Sequence, residues 1–457
     1  MSVRTTLTVT KAATKAARLL GKGSGTALPG LIAQRLQPEL PQILASQLPH
    51  GIILVTGTNG KTTTTKLILE MLEAHGEVVL SNRAGSNLRR GIISTLINAA
   101  NMKGEIKATI GLFEVDEASL RLVTQDLKPR AILVLNLFRD QLDRYGELDT
   151  LAKVIGEGIA DTQADLYLNA DDPLVASLAN YAKTPDKVAY FGIEGLPASG
   201  TSALVTVSDS DRCPLCGSNL KYSRIFYGHI GHYTCPTGDF NRPQPQTAIT
   251  NAEAATLEKQ EFTLSLDGKR TEMTLPLPGT YNLYNALGAA ALASGLGLQA
   301  ATIADSLAHT TAAFGRVEKV KLGTKTLYLL LIKNPAGFTQ IVETFLRGNA
   351  DQNVMMAIND KPADGRDISW LWDVPLEAIA ADKPKIITTG IRGADMALRL
   401  KYAGIDGVLT ASMKRGLQDL IEATPENGVS YILPSYTAML EIRALLSKMT
   451  TLDEVWK

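Results

Sequence analysis

The sequence predicts an α/β protein made of two doubly wound, parallel-sheet units in series, with a small β-rich insertion in the first. Three observations carry this. Short apolar runs alternate with helical patterns from Gly51 onward, the alternation breaks between about residues 201 and 270, and a second alternating series runs from Leu327 to the end. Strands that alternate with helices read as a parallel sheet covered on both faces, with ligands at the carboxyl ends of the strands.

At 457 residues the chain can hold about three domains of ordinary size. Its 46 basic and 46 acidic residues cancel, so the overall charge gives no reason to expect a nucleic-acid or anionic-membrane surface, and any anion must be held locally. No apolar run reaches the roughly 18 residues needed to cross a bilayer, and Lys11, Lys15 and Arg18 interrupt any signal-peptide core in the first 20 residues. The expectation is a cytoplasmic protein. Its three cysteines all fall between Cys213 and Cys235, which in a reducing compartment points to a metal site more than to disulfides.

Residues 1–48 look helical and are punctuated by glycine and proline, and are expected to pack on the central unit. Residues 49–312 form that unit, with strands at Ile52-Ile53-Leu54-Val55, Val78-Val79-Leu80, Ile132 to Leu135 and Leu166-Tyr167-Leu168, and a helix from Tyr281 to Leu296. Residues 201–270 are its β-rich insertion. Residues 313–457 form the last unit, with strands at Leu327 to Leu331, Val354 to Ile358, Lys385-Ile386-Ile387 and Tyr431-Ile432-Leu433.

Directly after the first strand comes Gly57-Thr58-Asn59-Gly60-Lys61-Thr62-Thr63 and then a helix. In such a loop glycines let backbone N–H groups turn toward phosphates, a lysine reaches the terminal phosphates, and a hydroxyl binds Mg²⁺. Lys61, expected as a solvent-facing amine, and Thr62 fit the last two roles. The glycine spacing is two residues tighter than the general Walker pattern. Glu114, in Glu114-Val115-Asp116-Glu117, ends an apolar run, and a carboxylate there would complete the metal shell begun by Thr62. Asn282 and Asn285 are spaced to share one face of the helix they open.

Thr56 to Thr63 resembles the ATP loop shared by the Mur ligases and folylpolyglutamate synthases, enzymes that phosphorylate a carboxylate with ATP and let an amine attack the acyl phosphate. The resemblance continues in order to the C-terminus, with a P-loop central domain followed by a Rossmann-like α/β domain. Glu114 matches the family's metal-binding glutamate. The block Asn136 to Gly146 is similar to one whose histidine helps hold a second metal; Gln141 stands in that place and could offer an amide oxygen to Mg²⁺. In Gly279 to Asn285 the second asparagine of the family motif recognises adenine, which assigns that role to Asn285. Arg316 matches an arginine-bearing hinge that reaches the nucleotide. Lys333 to Gly337 replaces an aspartate-serine-lysine loop found in many relatives.

Two features resemble the MurT type within that family. Cys213-Pro214-Leu215-Cys216-Gly217 and Cys235-Pro236-Thr237-Gly238 are similar to a zinc ribbon, except that Gly238 stands where a fourth cysteine would be. Cys213, Cys216 and Cys235 would then need His229, His232 or Asp239 as fourth ligand of a structural Zn²⁺. The stretch Asn359 to Asp373 resembles one through which the last domain docks a GatD-type glutamine amidotransferase subunit and lends an aspartate to its Cys-His site; Asp360, Asp364 and Asp367 are the candidates.

The resemblance implies activation, by MgATP, of the D-glutamate α-carboxyl in the peptidoglycan precursor lipid II, for amidation to D-isoglutamine with ammonia from the partner. The lipid-linked acceptor would place this at the inner face of the membrane. The competing readings are an amino-acid-adding Mur or folylpolyglutamate-type ligase and a P-loop ATPase that ligates nothing.

Overall fold

The computed structural model describes residues 2–19, 28–82, 86–139, 148–196, 211–253, 256, 258–311 and 317–452. The N-terminal half contains β1 (Ile52–Thr56), β2 (Val79–Ser81), β3 (Ile110–Glu114), β4 (Ala131–Val134), β5 (Asp165–Asn169), β6 (Val188–Ile193), β7 (Lys221–Tyr227), β8 (Ile230–Thr234), β9 (Thr247–Ala252), β10 (Gln260–Leu266) and β11 (Lys269–Leu275). All but β7 and β8 form one nine-stranded sheet in the order β11-β10-β9-β6-β5-β4-β1-β3-β2. The strands from β2 to β6 run parallel, β9 joins β6 in parallel, and β9-β10-β11 form an antiparallel meander.

The sequence of each strand reflects how many of its faces are covered. In β1 every residue of Ile-Ile-Leu-Val-Thr is buried, as a central parallel strand between two helical layers requires. In β10 burial alternates residue by residue, because only one face meets the core. One layer contains the helices Lys61–Ala74 and Thr280–Gly295, packed through Leu67, Met71, Leu283 and Leu287. The second helix is buried from Asn282 through Ala293, so its alanine-rich sequence suits a position between the sheet and its neighbours. The opposite layer joins Leu7, Ala33, Leu40 and Leu44 of the described N-terminal helices to Leu54, Ile92 and Ile97 in one core.

The stretch 201–270 is not one separate module. Within its described part only the β7–β8 hairpin stands apart, while β9, β10 and part of β11 lie in the main sheet. The hairpin is tied down by charge. Arg242, just beyond it, donates to Asp171 (Nε to Oδ1, 2.5 Å) and Glu194 (2.9 Å), and Asp171, fully buried, also accepts from the Tyr284 hydroxyl (2.6 Å) and the Ile193 N–H (2.7 Å).

The C-terminal unit contains β12 (Glu318–Leu322), β13 (Lys325–Leu329), β14 (Asn353–Ala357), β15 (Lys385–Thr389), β16 (Gly407–Leu409) and β17 (Val429–Pro434), ordered β12-β13-β17-β14-β15-β16. Only β12 is antiparallel to its neighbour. Two cores flank this sheet, one around Phe338, Phe345 and Tyr431, the other around Met355, Leu417 and Ile442. The expected boundary near residue 312 and the hinge residue Arg316 lie outside the described residues, as does Gln141.

Candidate functional site

The phosphate loop joins β1 to the helix Lys61–Ala74 at the carboxyl edge of the first sheet. Its two glycines have φ of 129° at Gly57 and 89° at Gly60, values that L side chains rarely adopt. Space excludes a side chain as well. A Cβ on Gly60 would lie 2.0 Å from Asn285 Oδ1, and one on Gly57 would lie 3.0 Å from the backbone of Asn136. Asn136 fixes the loop between them: its Oδ1 accepts from the Asn59 N–H at 2.8 Å and its Nδ2 donates to the Asn59 carbonyl at 3.0 Å. The Thr58 hydroxyl accepts from the Phe138 N–H at 3.0 Å. The loop therefore has a fixed shape before any ligand arrives, which is what stabilising a transferring phosphoryl group demands.

Lys61 is not solvent-facing, which corrects the sequence expectation. Its Nζ lies 3.1 and 3.2 Å from the two carboxylate oxygens of Glu117, and both side chains are buried. Burial alone would lower the Lys61 pKa, but the carboxylates of Glu117, Glu114 and Asp116 outweigh it and raise it, so the amine stays protonated. Burial likewise raises the Glu117 pKa, against the pull of Lys61. Glu117 lies in the acidic string 114–117, and a string alone does not say which carboxylate turns inward.

The Thr62 hydroxyl donates to Glu114 Oε2 at 2.9 Å. Glu114 is held in turn by Asn82, which accepts from its N–H (3.0 Å) and donates to its carbonyl (2.8 Å). A hydroxyl and a carboxylate side by side at the mouth of a phosphate loop fit two positions of a Mg²⁺ shell.

Asn285 and Asn282 are both buried. Asn285 Oδ1 accepts from the Thr64 hydroxyl at 3.3 Å, and its Nδ2 donates to Asn282 Oδ1 at 3.1 Å, so the pair presses on the loop helix at Gly60. From the second unit, Asn334 reaches the loop and donates from Nδ2 to Asn59 Oδ1 at 3.0 Å.

The three cysteines converge, with all three sulfurs within 4.8 Å of one another. Two imidazoles proposed as a fourth ligand point elsewhere. His229 is fully buried, with Nε2 3.4 Å from Asp172 Oδ2 and its ring against Phe138, and His232 places Nε2 2.7 Å from the Ile193 carbonyl. Among the described residues no histidine, aspartate or glutamate joins the three thiols in that cluster. The Thr237 hydroxyl stands beside them, 2.9 Å from Cys235 Sγ and 3.3 Å from Cys216 Sγ, and it donates to Asp239 at 2.6 Å. Three thiols that could hold a metal ion are thus gathered, with Asp239 hydrogen-bonded to the Thr237 hydroxyl beside them.

The three candidate aspartates of the last unit differ sharply. Asp360 pairs with Arg392 at 2.8 Å. Asp364 is buried and caps the loop, accepting from the Thr437 N–H (2.7 Å) and hydroxyl (2.6 Å) and from the Lys361 N–H (3.1 Å). Asp367, half-buried, accepts from the Ser369 N–H at 2.8 Å. Beside this loop Trp372 is 48% exposed and packs edge-on against Tyr402, itself 71% exposed.

A glycine-rich loop on a parallel sheet, contacted by the α/β unit that follows, is the arrangement expected of a Mur ligase. The Mur ligase middle domain family matches residues 55–236, and the MurT ligase C-terminal family matches residues 331–439. The fold is shared with a pseudomurein peptide ligase type C from Methanothermus fervidus, at a TM-score of 0.72 and 22% identity over 89% of this chain and 80% of that one. In sequence the chain is 33% identical to the MurT subunit of lipid II isoglutaminyl synthase (glutamine-hydrolyzing) from Staphylococcus aureus (strain COL), over 97% of this chain and 98% of that protein. It is 34% identical to the corresponding subunit from Streptococcus pneumoniae (strain ATCC BAA-255 / R6), over 98% of both. The chain belongs to the MurT family of Mur ligases.

Proposed function

We propose that this chain is the ATP-dependent ligase subunit that activates the D-glutamate α-carboxyl of lipid II for amidation to D-isoglutamine. The observation that supports the reading is the glycine-rich loop, with Lys61 against Glu117 and Thr62 against Glu114, in a chain similar along nearly its whole length to subunits named for that reaction. Lys61 offers a cation to the transferring phosphoryl group, and Gly57 to Thr63 offer backbone N–H groups. Thr62 and Glu114 would hold Mg²⁺, which supplies charge neutralisation between the phosphates when bound. Asn285, Arg316 and Gln141 remain candidates for adenine, nucleotide and second-metal contacts.

The nitrogen donor would be ammonia from a GatD-type glutaminase subunit. A partner of that kind needs a seat and a carboxylate. An exposed apolar stripe supports the first: Leu398 and Tyr402 lie on the helix Gly393–Tyr402 and Ile391 two residues before it, and the helix starts beside the Asp360–Arg392 pair and ends beside Trp372. For the second, Asp364 is already committed to the fold, so Asp360 and Asp367 are the better donors. A structural Zn²⁺ on Cys213, Cys216 and Cys235 is compatible with the thiol geometry, with Asp239, hydrogen-bonded to Thr237 beside the thiols, as the candidate carboxylate.

Supplying the chain and a glutaminase partner with lipid II, MgATP and, in turn, glutamine, ammonia or glutamate tests the reading. Amidated product with the first two donors is expected. A glutamate adduct would point to an amino-acid-adding ligase, and ATP hydrolysis with no adduct to an ATPase.

A further inference from the structure

We propose that Asn334 is the positioning residue that registers the C-terminal unit on the phosphate loop, so that domain closure and the shape of the nucleotide site are one event. The proposal rests on the nucleotide reading of that loop.

The argument starts from a helix cap. Asn334 precedes Pro335 at the start of the helix Pro335–Ile341, and its Oδ1 accepts from the Gly337 N–H at 2.8 Å. An N-cap asparagine of this kind has its oxygen committed to the helix, which fixes the other end of the amide as a donor facing away. That donor, Nδ2, meets Asn59 Oδ1 at 3.0 Å across 275 residues of chain. Asn59 is already fixed, since the side chain of Asn136 takes both its N–H and its carbonyl. Three amides thus link the second unit, the phosphate loop and the end of β4 in series.

Burial makes the link matter. Asn334 is only 2% exposed, so while the two units are together its outward N–H₂ depends on Asn59 for a partner, and loss of that acceptor within the closed arrangement would be costly. When the units part, water replaces Asn59. The same turn carries Lys333, whose charge acts on Glu117, the carboxylate that holds Lys61. Asn334 itself touches none of the reacting groups and acts through Asn59.

The test uses the full chain and Asn334→Ser, since serine still caps the helix but is too short to reach Asn59. Binding of Mg·AMP-PNP by calorimetry, the KM for ATP and small-angle scattering are compared with wild type. Loss of one hydrogen bond predicts affinity weakened about three- to tenfold, a raised KM with an unchanged thermal midpoint, and a larger radius of gyration. Asn334→Ala should in addition lower the midpoint, because the cap is lost too. With Asn59→Ala as background, Asn334→Ser should add nothing. Unchanged affinity and scattering in Asn334→Ser, or losses that multiply in the double variant, would overturn the latch. A wild-type chain that binds no nucleotide would instead sink the proposed function, while scattering of the unliganded variants would still decide whether Asn334 holds the units together.

Discussion

Glu117 grips the Lys61 ammonium through both carboxylate oxygens, at 3.1 and 3.2 Å, with both side chains buried beneath the phosphate loop. The loop lysine is therefore neutralised from inside the protein, and an arriving phosphate shares it with Glu117 instead of taking it from water. Removal of either member leaves the other buried without its directly paired charge, although the ammonium also donates to the Gly57 and Thr58 carbonyls.

Lys61→Ala should accordingly abolish amidation and also destabilise the fold, by about 3–5 kcal/mol if the broken pair behaves as buried pairs generally do. Lys61→Met combined with Glu117→Gln should recover most of the stability and none of the activity. Urea denaturation beside turnover at saturating MgATP separates the two effects. Near wild-type turnover in either variant would remove Lys61 from the chemistry.

Glu114→Ala leaves the Thr62 hydroxyl without its acceptor and takes one oxygen from the metal shell. Activity should fall and be partly restored by raised Mg²⁺. A Mg²⁺ titration curve that superimposes on the wild type would rule out Glu114 as a ligand.

Zinc should bind at no more than one ion per chain, through Cys213, Cys216 and Cys235. Cys216→Ser, at the exposed corner of the cluster, should empty the site, and Asp239→Ala should weaken it if that carboxylate completes the shell through or in place of Thr237. Elemental analysis of protein purified without chelator checks all three. No metal in the wild type would mean a ribbon held by packing alone.

Among the aspartates, Asp364→Asn should lower glutamine- and ammonia-dependent amidation together, because its two oxygens hold the loop to Thr437 and Lys361. Either Asp360→Asn or Asp367→Asn should selectively damage the glutamine-dependent reaction, by up to about 10⁴-fold where the carboxylate orients a catalytic histidine. Equal losses with both nitrogen donors for all three variants would assign the loop to acceptor binding or closure.

Arg242→Met should cost about 3–5 kcal/mol of stability, since it strands Asp171 in the core with its cation gone. The effect should appear in denaturant midpoints with little change in ATP affinity. A neutral outcome would mean that Asp171 is content with Tyr284 and the Ile193 N–H.

The sequence by itself determined the two α/β units, the order of their strands along the chain and the phosphate loop, because these depend on local period and on residues adjacent in the chain. Gly57, Gly60 and Lys61 are recognisable from a few neighbours, and the apolar run of β1 declares a strand covered on both faces. What only the tertiary structure decided were the relations between distant segments. That Glu117 and not a neighbouring acid meets Lys61, that β9 to β11 extend the main sheet, and that His229 and His232 turn from the thiols all depend on which surfaces pack together. The same holds for Asp364, Asp360 and Asp367, three identical side chains in one short loop. Their separate fates as a buried cap, an ion pair and a half-buried turn are fixed by Thr437, Arg392 and Ser369, and two of these partners come from other parts of the chain.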